Sequence, residues 1–328
     1  MLREFLGPRG LTLAEVDPPA PSGTEVLIDV HAAGINRPDL LSTHGLHQHK
    51  LTLPGIPGSE VSGIISAVGP DSVWRVGQSV AAFVWGGGYA EQVVAPDHTV
   101  MTLPPGATHA QGAAMVVNYQ TAHFALTRRG HARPGETVLV LGASGGVGSA
   151  AVQVANGLDC HVIIGLSDPN TLPMPVEDAA CDVVQLTPGF SDAVRHLTAG
   201  RGVDLVVDPV GDWLFDEAVR TLAPEGRILV IGFAAGDIPQ IKVNRLLLRN
   251  ASVVGVAWGA FLEHDTALMC QAGHELQRLW QRGAIDPSIT LTVNFSEIPH
   301  ALELLAARTI RGKGVALVHP PQDTDHAR

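Results

Sequence analysis

Residues 138–150 read Val138-Leu139-Val140-Leu141-Gly142-Ala143-Ser144-Gly145-Gly146-Val147-Gly148-Ser149-Ala150, and their reading decides the fold. Thr137 to Leu141 is too apolar to have a solvated face, as expected of a strand buried in a parallel sheet. Val147 to Asn156 is rich in alanine and valine and predicts a helix, with Gly157 placed to end it. Between them fall Gly142, Gly145 and Gly148. Glycine lets the chain turn sharply and lets its backbone approach a pyrophosphate, while the free N–H groups and dipole of the helix favour negative charge. Glycine-rich turns are common, so the triplet alone is a weak signal. Its place between a strand and a helix, at the head of a βαβ repeat, is the context that dinucleotide binding requires. Gly142, Ser144, Gly145, Gly146, Val147 and Gly148 are therefore the expected diphosphate contacts. A turn with only a structural role is the competing reading.

Beyond this stretch a strand–helix rhythm continues. Strands are predicted at His161 to Gly165, Val183 to Leu186, Val203 to Asp208, Arg227 to Gly232 and Ser252 to Val256. Helices are predicted at Phe190 to Ala199 and Trp213 to Leu222. Such alternation marks a doubly wound α/β sheet. Gly232 and Phe233 end a strand at the carboxyl edge, where ligands of these folds bind. Further on, His264 to Arg282 predicts a helix, Ser296 is the expected N-cap of another, and Gly314 to His319 is a last strand. The polar tail from Pro320 is expected to fray.

The first third has a different character. In Val26 to Ala33, apolar Val26, Ile28 and Val30 alternate with Leu27, Asp29 and His31, which predicts a strand with one buried face. Val61 to Val68, Ser79 to Val84 and Ala90 to Ala95 are similar, each bounded by turn residues. A small, mostly β, barrel-like domain follows from this spacing. Ala110 to Val117 and Thr121 to Arg129 predict two helices leading into the α/β part.

Composition excludes several classes. Asp and Glu number 32 against 21 Lys and Arg, so the surface repels polyphosphate and nucleic acid is not an expected partner. No apolar run reaches membrane-spanning length, and Arg3, Glu4 and Arg9 interrupt the N-terminus, so neither a membrane nor a signal peptide is expected. Cys160, Cys181 and Cys270 are odd in number and far apart, which is no disulfide framework and points to a reduced, cytoplasmic setting.

NAD sites usually place an acid at the end of the second strand to hold the ribose hydroxyls. Here that strand ends Gly165-Leu166-Ser167-Asp168. A 2′-phosphate is tolerated if Ser167 faces the ribose and repelled if Asp168 does. Arg311 and Lys313 could fold back onto such a phosphate or lie as solvated surface charge. NADPH is the expected coenzyme, with NADH the alternative.

Several further segments resemble the medium-chain dehydrogenase/reductase superfamily, especially its zinc-free quinone oxidoreductase (zeta-crystallin-like) branch. They are Gly34-Ile35-Asn36-Arg37-Pro38-Asp39, Pro54 to Gly63, Gly87 to Glu91, Asn118-Tyr119-Gln120-Thr121, Asp208 to Gly211, Gly226 to Phe233 and Asn250 to Gly259. They run in family order over nearly the whole chain. The resemblance implies a GroES-like catalytic domain from residues 1–120 and 260–328, with a Rossmann domain of residues 121–259 inserted into it. It also implies a cleft between them where nicotinamide meets substrate. The zinc-dependent branch places a cysteine near Asn36, a histidine before Glu60 and a cysteine near Asn118. This chain has Asn36, Ser59 and Asn118 there, so no metal is expected. Two departures from the quinone reductase pattern also stand out. Pro169, Pro173 and Pro175 crowd the segment where the family has a lysine-bearing helix, and a double glycine is reduced to Gly211.

The implied chemistry is hydride transfer to a quinone or enone, which delocalises the incoming charge and needs only orientation and hydrogen bonds. Asn36, Thr121 and Tyr89 are the candidate donors. Capping of the turn into Asp39 is the alternative for Asn36, a helix start for Asn118 and Thr121, and loop packing for Tyr89. Asn118 and Trp258 are candidate walls of the nicotinamide pocket. His44, His47 and His49 suit a rim of the acceptor entrance better than a metal site. An enoyl-thioester or enone reductase, and a non-catalytic NADPH-binding protein, are the competing functions. The apolar strand Ser252 to Val256 predicts pairing with a second copy, and the resemblance implies a homodimer, with a tetramer the alternative.

Overall fold

The computed structural model describes residues 1–171 and 181–318. They fall into two compact units. Unit 1 comprises Met1–Val117, Asp265–His274 and the residues from Ile289 on; unit 2 comprises Asn118–His264 and Glu275–Ser288.

Unit 1 is built on one seven-stranded sheet. Its strands are β1 (Val26–Ile35), β2 (Glu60–Val68), β3 (Ser79–Phe83), β4 (Gln92–Ala95), β5 (Val100–Thr102), β12 (Ile289–Asn294) and β13 (Lys313–Leu317). The order is β12-β13-β1-β2-β3-β5, with β4 also on β1. All neighbours are antiparallel except β12 and β13. The inward residues Val26, Ile28, Val30, Val61, Ile65 and Val80 are fully buried, as the alternation demands. Two short helices, α1 (Arg37–Thr43) and α9 (Ile298–Ala306), flank the sheet, and Ile298, Ala301 and Leu302 of α9 join its core. The cap before α9 is a box of Asn294 and Glu297, whose carboxylate accepts the Asn294 N–H at 2.8 Å; it is not Ser296. An intervening 3-10 turn moves the helix start to Ile298.

Helix α2 (His109–His123) is continuous through Asn118 and runs on as a π-helical turn, Phe124–Arg129, rather than forming two helices. Unit 2 then alternates β6 (Thr137–Val140), α3 (Gly146–Gly157), β7 (His161–Leu166), β8 (Cys181–Gln185), α4 (Phe190–Leu197), β9 (Val203–Asp208), α5 (Trp213–Thr221), β10 (Leu222–Val230), α6 (Asn244–Leu247) and β11 (Ser252–Gly255). Helices α7 (Trp258–Phe261) and α8 (Leu268–Gln281) follow. The sheet is parallel throughout, in the order β11-β10-β9-β6-β7-β8. This is the doubly wound topology, reversing at β6, the place at the carboxyl edge where ligands of such folds bind. Val138, Leu139, Val140 and Leu141 are fully buried. Burying a valine or leucine side chain contributes about 1.5–3 kcal/mol, so this strand is a fixed platform for the turn after it. Residues 172–180, with most of the proline-rich segment, and the tail from His319 lie outside the described residues. Among the described residues, no helix is long and apolar enough to cross a membrane.

Candidate coenzyme site and buried polar network

In unit 2 the turn after β6 is shaped by what its glycines leave out. Gly142 has φ +61°, a left-handed conformation that costs a side chain dear. A Cβ on Gly148 would lie 2.2 Å from the Gly142 carbonyl oxygen, so helix and turn touch backbone to backbone. Helix α3 starts at Gly146 with Gly145 as N-cap and no side-chain cap. The first-turn N–H groups of Gly146, Val147 and Gly148 therefore have no intrahelical acceptor, and Ser144 to Val147 remain partly exposed. This cradle fits a diphosphate.

Asn118 completes it. A Cβ on Gly146 would come within 2.5 Å of Asn118 Nδ2, so the amide side chain lies on the turn itself. The neighbouring Tyr119 donates its hydroxyl to Gln153 Oε1 at 2.7 Å, which ties α2 to α3 and holds Asn118 in place. Thr121 is three residues further along α2 and 8% exposed. The turns after β9 and β10 join the same edge. Val210 lies against Gly142, Phe233 against Gly211, and the Ala234 N–H donates to the Pro209 carbonyl. Asp208 Oδ1 accepts the Val210 and Gly211 N–H groups, while burial pushes its carboxyl pKa up. Trp258 is 3% exposed, a packed residue rather than an open wall.

At the end of β7, Asp168 Oδ1 accepts both the Asn170 N–H and the Asn170 side-chain amide at 3.0 Å. The carboxylate thus caps the turn Pro169–Thr171, and Ser167 beside it is exposed.

Unit 1 holds a second polar constellation. Glu60 is fully buried; its Oε1 accepts the Val117 N–H at 2.8 Å, and its Oε2 accepts Asn36 Nδ2 at 3.0 Å and Lys313 Nζ at 2.5 Å. Gly34 makes room, since a Cβ there would meet Glu60 Oε2 at 2.3 Å. Asn36 Nδ2 also donates to the Gly34 carbonyl, and its Oδ1 accepts from Lys313. Both amide hydrogens of Asn36 thus meet protein acceptors. Lys313 is neither surface charge nor a grip for a 2′-phosphate: it is 4% exposed and neutralises Glu60. The buried hydroxyl of Tyr89 donates to Asp39 Oδ2 at 2.9 Å, the packed arrangement that is its alternative reading. Asp39 caps α1 through the Asn36 N–H at 2.9 Å. His49 stacks on Trp85 with ring centroids 4.6 Å apart, and His47 Nδ1 meets the His49 carbonyl at 3.1 Å, so these rings do not converge.

Burial pushes the Asp39 carboxyl up to about 6 from its ordinary 3.8, against the Tyr89 hydrogen bond and the Lys313 charge. Between those values the folded protein holds a proton that the unfolded chain releases, so this group's contribution falls as pH rises. The unfolding free energy of wild type relative to Asp39→Asn should decline by about 2 kcal/mol from pH 4 to pH 7. Urea titrations showing a pH-independent difference would disprove this.

A six-stranded parallel sheet reversing at a glycine cradle defines a dinucleotide-binding domain, here on one chain with a mostly antiparallel partner. The comparisons agree. Residues 22–105 match the alcohol dehydrogenase GroES-like domain, and residues 146–272 the family described as zinc-binding dehydrogenase. The chain is 34% identical to quinone oxidoreductase-like protein 2 of Bos taurus over 93% of this chain and 88% of that one. It is 33% identical to the quinone oxidoreductase of Homo sapiens, over 83% and 84%. Among solved structures, mycobacterial Rv1454c complexed with NADPH superposes with a TM-score of 0.88 at 28% identity, over 97% and 98%. The chain belongs to the quinone oxidoreductase branch of the medium-chain dehydrogenase/reductase superfamily and is an oxidoreductase.

The zinc in the second family's description does not fit the residues present. Asn36, Ser59 and Asn118 stand where ligands would be needed, and Glu60 already faces an ammonium. Among the described residues, no group of three or more His, Cys, Asp or Glu could hold a metal ion.

Proposed function

We propose that this chain reduces quinones or similar conjugated carbonyls with NADPH and without zinc. The observation that carries the coenzyme choice is the engagement of Asp168 with Asn170, which leaves Ser167 as the residue presented at the end of β7. A serine accepts a 2′-phosphate that a free carboxylate would repel. The solved structure of mycobacterial Rv1454c complexed with NADPH supports the same reading.

A bound nicotinamide supplies the hydride. The chain holds the diphosphate at the amides of Gly146, Val147 and Gly148, and Asn118 orients the turn. Of the three expected donors, Thr121 is the one not engaged in the buried network, and it is assigned the hydrogen bond to the reacting side. A quinone needs no Lewis acid, because its ring delocalises the incoming charge, and this matches a donor set that does not fit zinc. At the sheet end, β11 has a neighbour on one side, and Val253 is 40% exposed. We assign that edge to a second copy of the chain.

Steady-state oxidation of NADPH and NADH with an ortho-quinone tests the reading. NADPH should be preferred, and Ser167→Asp should weaken NADPH at least tenfold while changing NADH by less than threefold. Turnover with NADH alone, or none with any quinone, would refute it.

A further inference from the structure

Unit 2 carries a surface hollow at the sheet edge opposite the glycine turn. It has a volume of about 190 Å³ and is lined by Arg195, Val219, Arg220, Arg245, Leu248 and Arg249. Its place follows from topology. Arg220 lies in the last turn of α5, just before β10 begins, whereas the glycine turn follows the carboxyl end of β6. Four guanidinium groups thus gather on a chain whose formal net charge is −11.

The acids nearby do not balance them. Asp216 pairs with both Arg220, at 3.1 Å, and Arg245, and Glu217 reaches Arg220 at 3.3 Å. Among the described residues, neither Arg195 nor Arg249 has a carboxylate partner. Arg195 donates from Nε and Nη2 to the Arg220 carbonyl at 3.2 and 3.0 Å, and Arg249 donates from Nη1 to the Leu222 carbonyl. These bonds fix the planes of both guanidinium groups but leave their charge in place. Two positive charges therefore remain in excess around one hollow. Pre-oriented guanidinium forks are the groups that grip phosphate oxygens bidentately. Stapling the α5 end accounts for only one edge of each fork. The volume equals about six waters at roughly 30 Å³ each, and it is below the roughly 300–1,000 Å³ of pockets that enclose a whole organic ligand.

We infer that this hollow is an anion site for one or two phosphate groups, either inorganic pyrophosphate or the diphosphate end of a nucleotide, separate from the coenzyme cradle. Calorimetric titration of the NADPH-loaded protein with pyrophosphate, and separately with ADP, at fixed ionic strength in KCl tests it. One saturable equivalent is expected, weakened at least tenfold by the double substitution Arg195→Gln and Arg249→Gln, with NADPH affinity unchanged within twofold. Tighter pyrophosphate assigns the free anion and tighter ADP the nucleotide, and both support the site. If the double variant misfolds, Arg220→Gln, at a side chain 56% exposed, should give the same loss. Heat that does not saturate, or binding unchanged in these variants, would overturn the site.

Discussion

Replacing Lys313 with methionine is expected to destabilise the protein by about 3–5 kcal/mol, the cost of leaving a buried carboxylate without its counter-charge. Glu60 is fully buried and Lys313 is 4% exposed, so no water replaces the lost ammonium. The remaining partners of Glu60, the Val117 N–H and the Asn36 amide, are neutral donors and cannot balance its charge. Across a unit of this size the loss corresponds to a fall in melting temperature of about 6–20 °C. The double variant Lys313→Met with Glu60→Gln should recover most of it, because removing both charges of a buried pair is far milder than removing one. Calorimetric melts of the two variants decide the matter. A single variant melting with wild type would show that the pair does not anchor this sheet.

This pair also shows where sequence reading stops. Lys313 is 253 positions from Glu60 and 277 from Asn36, and nothing local to any of the three marks them as partners. A lysine next to Arg311 near a polar tail reads as surface charge until β13 is known to lie beside β1. The same separation hides the bond of Tyr89 to Asp39, 50 positions away. Short-range signals fared better. The buried strand, glycine turn and helix of residues 138–157 were legible because each acts through its own backbone conformation. Strand β12 was not expected, although Ile289, Leu291 and Val293 alternate with more exposed neighbours. The Asn294–Glu297 box is also readable in sequence as an Asn followed three residues later by Glu. The sequence predicts two helices, Ala110 to Val117 and Thr121 to Arg129, where the structure has one continuous α2. The break is absent because Tyr119 and Asn118 are buried against unit 2's own elements, and tertiary packing overrides local propensity.

The glycine cradle gives the other large effect, and it separates two glycines that look alike in sequence. Gly148→Ala should weaken NADPH binding at least 100-fold, about 2.7 kcal/mol. The added Cβ would sit 2.2 Å from the Gly142 carbonyl oxygen and 2.8 Å from the Ala143 Cα, both backbone atoms of a turn held by the buried strand β6. Neither atom yields without opening the turn, and opening it moves the amides that bind the diphosphate. Gly146→Ala meets a different neighbour. Its nearest contact is Asn118 Nδ2 at 2.5 Å, the end of a side chain that can rotate away. That variant should lose no more than tenfold, and its loss should shrink when Asn118→Ala is used as the background, since the clash is then absent. Fluorescence titration of NADPH against wild type, the three single variants and the Gly146→Ala, Asn118→Ala double variant measures both effects. Equal losses at the two glycines would mean that the backbone contact between turn and helix does not set the affinity. A Gly148→Ala protein that binds as wild type does would remove the cradle from the coenzyme site altogether.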